Sequence, residues 1–302
     1  MDQRELDVVM AVDVGTASVN WGFDPLYTWV QTPTFAHMLD EMQAAGYGGT
    51  EISYHFPADA EELRLALAKR ALRAAATFHA LDLRDAANHD SAIRGVAPIA
   101  DRLQALGSDV LILSDAPSPP RLAAAGRVAD DGSDGLTRGQ WRAMSDGLNR
   151  IGELLAARGM RGVFHPHVGT FVETRAEIDQ LCAMTDSSLL GLCPDTGHLA
   201  YAGVDSGQLF RDYADRIDYV HLKDVDGDLL TRVRSEGIGF VRAVELGLFV
   251  ELGEGIVAIA RIMESLAAAD FRGWLIVEQD APQNPLGSAI VNRNFLREEF
   301  GL

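Results

Sequence analysis

The most constraining stretch of the chain is residues 189–224, LLGLCPDTGHLAYAGVDSGQLFRDYADRIDYVHLKD. Two apolar runs, Leu189–Cys193 and Ile217–Val220, have strand length, and each leads onto potential metal ligands. Asp195 and His198 follow the first; His221, then Lys223 and Asp224, follow the second. Between them, Ser206–Asp215 carries Leu209, Phe210 and Tyr213 at the spacing of a short amphipathic helix. A strand–helix–strand unit with polar residues at the carboxyl ends of its strands fits a parallel α/β fold, whose loops converge on that face. Taken singly, Asp195 suits a turn or helix cap, and a lone histidine is often structural. At matching strand ends, however, a carboxylate oxygen and an imidazole nitrogen suit a divalent ion such as Mn²⁺, Co²⁺ or Zn²⁺.

The same alternation runs through the chain. Val8–Val12, Thr50–Ile52, Leu72–Phe78, Asp109–Leu113, Gly162–Phe164 and Gly273–Val277 read as six further strands. Helical periodicity covers Thr32–Ala45, a segment from Asp59 (its expected N-cap) to Arg70, Ser91–Leu106, Thr137–Arg158, Glu173–Thr185, Ile256–Ala269 and Asn284–Glu299. Ala116–Asp134, rich in Pro, Gly, Asp and Ala, reads as a long irregular loop. Asp224–Leu252 is too long for a simple loop and predicts an irregular or helical excursion over the mouth of the fold. No composition shift marks a linker. The expectation is one α/β domain over residues 1–302, a single (β/α)₈ TIM barrel, which typically takes about 250 residues. An open doubly wound sheet is the alternative, but no strand is followed by GxGxxG or GxxxxGK[ST].

Composition narrows the partners. The 44 acidic residues against 26 basic ones leave a net charge of −18, with no Lys/Arg run to hold a phosphate backbone. Nucleic acid and anionic membrane surfaces are therefore not expected. No apolar run spans a bilayer and Met1–Asp13 has no basic-then-apolar leader, so a cytoplasmic protein is expected. The two cysteines, Cys182 and Cys193, form no disulfide framework. A small-molecule ligand remains, and a homo-oligomer is compatible with all of this.

The strand ends present Trp21, Glu51, His79, Ser114, His165 with His167, Asp195 with His198, His221 with Lys223, and Glu278. Six of the 8 histidines, at positions 55, 79, 165, 167, 198 and 221, lie at or just beyond strand ends, and scattered surface histidines would not cluster so. His165, Asp195, His221 and Glu278, from strands five to eight, could meet at one ion. His165 and His167 are two apart, so an extended backbone points both to one side, one as ligand and the other toward substrate or as acid or base. Glu51 either touches substrate or bonds a neighbouring loop. Trp21 offers a face to a sugar ring or packs in the core, and His79 is a further substrate contact.

Asn20–Trp21–Gly22, Gly46–Glu51, His165–Thr170 with Val172–Thr174, Asp195–His198, His221–Val225 and Gly273–Asp280 together resemble the inosose dehydratases. These belong to the xylose isomerase-like barrel superfamily, with sugar epimerases, inosose isomerases and endonuclease IV. The resemblance covers nearly the whole chain in order. It implies a carbon–oxygen lyase that dehydrates a keto-inositol such as 2-keto-myo-inositol to a cyclic diketone through a metal-stabilised enediolate. His198, His167, Glu51 and Lys223 are then the candidate acids and bases, and Mn²⁺ or Co²⁺ heads the ions, ahead of Zn²⁺ or Mg²⁺. The substrate would be a polyol or keto-sugar. Two departures stand out. His165 occupies a place where the broader superfamily has Glu, as the dehydratases' own His-x-His does. Ile52–Ser53–Tyr54–His55 replaces the dehydratases' Leu-Gly-Pro. The alternatives are a keto-sugar isomerase or epimerase, a C-glycoside-cleaving lyase subunit, and a non-catalytic sugar-binding barrel.

Overall fold

The computed structural model describes residues 11–129 and 131–302. Asp13–Thr16 pairs in parallel with Gly49–Thr50 on one side and Trp274–Val277 on the other. Gly49–Thr50 continues to Arg73–Ala74, while Thr77–Leu81, Val110–Asp115, Arg161–Phe164 and Leu190–Leu192 pair in succession. Val220–Leu222 pairs with Trp274–Val277, and parallel bridges from Leu192 to Ile217 and from Asp195 to His221 close the ring. These are the eight positions of a (β/α)₈ barrel. Small and medium side chains fill its interior, among them Ala75, Ala76, Ile112, Val163, Cys193 and Ile276.

The helices form as their spacing dictates. Thr137 and Gln140 make a reciprocal capping box for Arg138–Ala156, which buries Met144, Leu148, Ile151 and Leu155 against the sheet. Thr174 and Glu177 cap Arg175–Met184 in the same way. Asp59 is the N-cap of Ala60–Ala68, accepting from the Glu62 amide. Among the described residues, no helix is long and apolar enough to cross a membrane.

Four segments differ from expectation. The first strand begins at Asp13, because its register is set by pairing with Trp274 onward; Val8–Met10 lie outside the described residues. The third is split at Ala75–Ala76: these two still bond the second-strand segment, Ala75 donating to Thr50 and the Ile52 amide donating to Ala76, while Thr77–Leu81 pairs with the fourth strand. It then runs to Leu81, so His79 lies within it and not at its end. The seventh strand is Val220–Leu222, which puts His221 inside it, while Ile217 contributes a bridge only. Finally, Pro119–Ala124 is a short helix inside the expected loop, opened by prolines that suit a first helical turn.

The long excursion holds helices Gly227–Glu236 and Phe240–Glu245 and an antiparallel pair, Asp224–Val225 with Phe249–Val250. Its apolar side chains, including Leu230, Val233, Phe240 and Val244, bury against Tyr27, Val168 and Tyr201 at the barrel mouth. Buried Asp224 accepts from the amides of Val225, Gly253, Gly255 and Val257, which ties the returning chain down.

Candidate active site

Asp195 and His221 face each other across a parallel bridge. Asp195 is also the N-cap of Thr196–Ala202: its Oδ1 accepts from the amides of Gly197 and His198, each at 2.8 Å. That fixes the rotamer and leaves Oδ2 buried without a hydrogen-bond partner. His221 Nε2 lies 2.7 Å from Glu51 Oε1, so the ring donates there and turns Nδ1 inward, also unpartnered. Nδ1 stands 3.7 Å from Asp195 Oδ2 and 3.3 Å from Glu278 Oε2. His165 stands beside His221, ring centroids 4.8 Å apart; its Nδ1 is 3.0 Å from the Cys193 carbonyl, which assigns the proton to Nδ1 and leaves a lone pair on Nε2. Asp195 Oδ2 and His221 Nδ1, buried and unpartnered beside the Glu278 carboxylate, are the kind of oxygen and nitrogen donors that suit a divalent transition ion; without one, burial is outweighed by the neighbouring carboxylates, which hold His221 charged.

Lys223 stands beside this centre. Its Nζ lies 2.8 Å from Asp280 Oδ1, 3.1 Å from Glu278 Oε2, 3.4 Å from Asp195 Oδ2 and 4.7 Å over the Phe249 ring. Gly197 makes room for it: a Cβ there would sit 2.6 Å from Lys223 Cγ, which accounts for glycine in the DTGH block. Lys223 Nζ also reaches His198 Nε2 at 3.4 Å. The His198 ring stacks on His167, centroids 3.7 Å apart, and Phe240 of the excursion closes over His167 at 5.5 Å. His167 Nδ1 donates to the Val168 carbonyl at 2.6 Å, leaving its Nε2 with a lone pair.

Burial sets the protonation states. It pushes His165 down to about 3 and lowers His167 and His198 too, so all three rings are neutral near pH 7. Burial would raise Asp195, but Lys223, His221 and His165 outweigh it and hold the carboxyl well below the usual range. Glu278 is held low against its burial by His221 and Lys223. Burial prevails at Glu51 and Asp280, which are raised. It would also strip Lys223 of its proton, but Asp195, Asp280 and Glu278 keep the ammonium charged.

The loop bearing His167 is clamped from outside the cavity. Glu173 accepts from the amides of Gly126 at 2.7 Å and Gly169 at 2.8 Å. Asp115 accepts from Phe171, and buried Arg121 joins the Thr170 carbonyl to Glu177. Burial raises Glu173 to about 7 and Asp115 to about 6.

A cavity of about 440 Å³ is lined by Glu51, His79, His165, His167, His198, His221, Lys223 and Glu278, with Asp195 buried beneath. Trp21 is not among its walls. The indole is 1% exposed, packed in the main core, with Nε1 donating to Glu41 at 2.5 Å, so no face is left for a sugar ring. The cavity also holds residues that sequence reasoning passed over. Asp280 binds both Lys223 and the Tyr27 hydroxyl, the latter at 2.6 Å. Its signal was its place two residues beyond Glu278; Tyr27 lies in a segment without periodicity.

A family model described as xylose isomerase-like TIM barrel matches residues 39–299. An inosose dehydratase of Clostridium botulinum is 32% identical over 297 residues, covering 96% of this chain and 98% of that protein. One from Geobacillus thermodenitrificans is 33% identical with the same coverage, 96% and 98%. Among solved structures, the IOLI protein with a bound zinc atom superposes with a TM-score of 0.72 at 12% identity, over 96% of this chain and 98% of that one. The probable 3-DHS dehydratase AsbF of Bacillus anthracis gives a TM-score of 0.71 at 16% identity, over 94% and 98%.

Proposed function

Since the chain belongs to the xylose isomerase-like TIM barrel family, we propose that it is a metal-dependent lyase that eliminates water from a keto-inositol such as 2-keto-myo-inositol. The observation that carries this reading is the pair of buried, unpartnered ligand atoms, Asp195 Oδ2 and His221 Nδ1, flanked by Glu278 and His165. Full-length similarity to inosose dehydratases favours dehydration over epimerisation. A divalent ion, Mn²⁺ or Co²⁺ foremost, would supply a Lewis acid for the ketone oxygen.

The chain's own groups divide the remaining work. Neutral His167 carries its lone pair on Nε2 and takes the proton from the α-carbon. Lys223 stays protonated and donates from Nζ, directly or by way of His198, to the departing β-hydroxyl. The C–H and C–O bonds break, a C=C bond forms, water leaves, and the enol tautomerises to the second ketone. Glu51 holds the His221 ring, and Phe240 with Phe249 keeps water from the two histidines. The whole chain serves as one catalytic domain.

The test is incubation of the purified chain with Mn²⁺ or Co²⁺ and 2-keto-myo-inositol, with products read by mass. Loss of one water supports the proposal. Exchange of an α-proton with solvent deuterium, without water loss, replaces it with an epimerase or isomerase.

A further inference from the structure

The cavity does not end at the ring that the metal centre would hold. A keto-cyclitol has about twelve heavy atoms and fills roughly 180 Å³, taking each at about half the ~30 Å³ share of a liquid water. The cavity offers about 440 Å³. Besides its polar residues the cavity is lined by Phe23, Ile52 and Phe78, and by Pro98 and Ile99 of the helix His89–Ala105, an apolar part that we call the lobe. Phe78 turns an edge to His165, centroids 5.6 Å apart, yet remains 41% exposed. An exposed phenyl ring beside a candidate metal ligand is apolar surface awaiting a partner.

Arg102 also lines this lobe. Its Nη2 donates to the Pro57 carbonyl at 2.6 Å, while Nε is buried without a hydrogen-bond partner. Among the described residues no carboxylate pairs with this guanidinium, although the chain has 44 acidic side chains. Ile52, Ser53 and Tyr54, which follow Glu51 directly, also line the cavity.

We propose that this lobe is a second subsite for a flat, apolar substituent ending in an acidic group, carried by the keto-ring bound at the metal centre. The proposal rests on the keto-ring reading above and specifies the substrate class within it. Phe78 and Ile99 flank the apolar part, and the Arg102 guanidinium, which has no carboxylate partner among the described residues, meets the acid.

Competition binding on the metal-loaded full chain tests it, with 2-keto-myo-inositol, its O-benzyl ethers and its O-(4-carboxybenzyl) ethers, substituted at each ring hydroxyl in turn. At least one benzyl ether should bind about tenfold tighter than the bare ring, and its carboxy analogue about tenfold tighter again. Phe78→Ala, and to a smaller degree Ile99→Ala, should bring the ether-to-ring affinity ratio toward one; Arg102→Gln should erase only the increment due to the carboxylate. Because each result is a ratio within one variant, a loss of active protein does not mimic it. The lobe is overturned if no ether gains on the bare ring, or if the gain survives in Phe78→Ala and Ile99→Ala. If the bare ring is dehydrated and the ethers gain nothing, only the lobe fails. If ethers bind with the predicted ratios while inosose is inert, the lobe stands and the dehydratase reading fails.

Discussion

The two halves of the barrel mouth are built on different principles. The half from strands five to eight carries His165, His167, Asp195, His198, His221, Lys223, Glu278 and Asp280, a mutually contacting set that is buried apart from the half-buried His167. The half from strands one to four carries Phe23, Ile52, Tyr54 and Phe78, and two of these, Tyr54 and Phe78, are exposed. Two residues cross over: Glu51 of the second strand bonds His221, and Tyr27, after the first strand, bonds Asp280. In the first half Asp195, His221, Lys223, Glu278 and Asp280 share polar partners, so a change at one is felt by the others. In the second, side chains answer mainly to whatever lies in the cavity. On the proposed reading, reaction chemistry and substrate choice fall to opposite sides of one mouth.

The comparison would break most visibly at the buried half. Asp195→Ala and His221→Ala should each abolish stoichiometric metal binding and lower kcat by about 10³-fold or more. Tyr54→Ala should keep its metal and move mainly KM. Metal analysis beside steady-state kinetics checks both, and metal loss in Tyr54→Ala would erase the distinction. His167→Ala, kept metal-loaded, should lose about 10²–10⁴-fold in kcat as a general base would; near-normal turnover reduces it to a packing residue for Phe240.

An effect of intermediate size concerns the clamp on the His167 loop. Glu173, raised to about 7 by burial, binds more protons folded than unfolded between its ordinary pKa near 4.5 and 7. Its contribution to stability is therefore complete below about pH 4.5 and is lost as pH rises through about 7, on the order of 3 kcal/mol in all. Denaturant unfolding across that window should show the decline, and Glu173→Gln should flatten it. An unchanged pH slope in the variant would mean that the two loop amides hold Glu173 ionised.

The smallest effect is expected at Trp21. Trp21→Phe should cost about 1 kcal/mol of stability through the lost bond to Glu41, with KM within about twofold. A large rise in KM would return the indole to the substrate.

How far the site could be read beforehand follows the same division. That His165, Asp195, His221 and Glu278 would gather at one buried mouth was legible because each lies in or next to a short apolar run at successive strand ends; that they hold one ion remains the proposal. The capping role and the ligand position of Asp195 had looked like rival readings; the structure uses one oxygen for the cap and leaves the other buried and unpartnered. Trp21 misled because an aromatic near a strand end has no periodicity to tell it from a core residue. His79 was misplaced because the pairing with the fourth strand begins only after the alanines, at Thr77, and carries the strand on to Leu81. Asp280, Tyr27 and the Glu173 clamp act through contacts separated by up to hundreds of residues, which no local pattern encodes.

The central claim is that one divalent ion sits between Asp195 Oδ2 and His221 Nδ1, with Glu278 and His165 beside it. Anomalous diffraction from crystals grown with Co²⁺ tests it most directly. The account predicts a single strong peak with these four side chains at about 2.0–2.3 Å, His221 coordinating through Nδ1 while Nε2 stays on Glu51. A peak bound through His221 Nε2, or one displaced to His167 and His198 without Asp195, would contradict it.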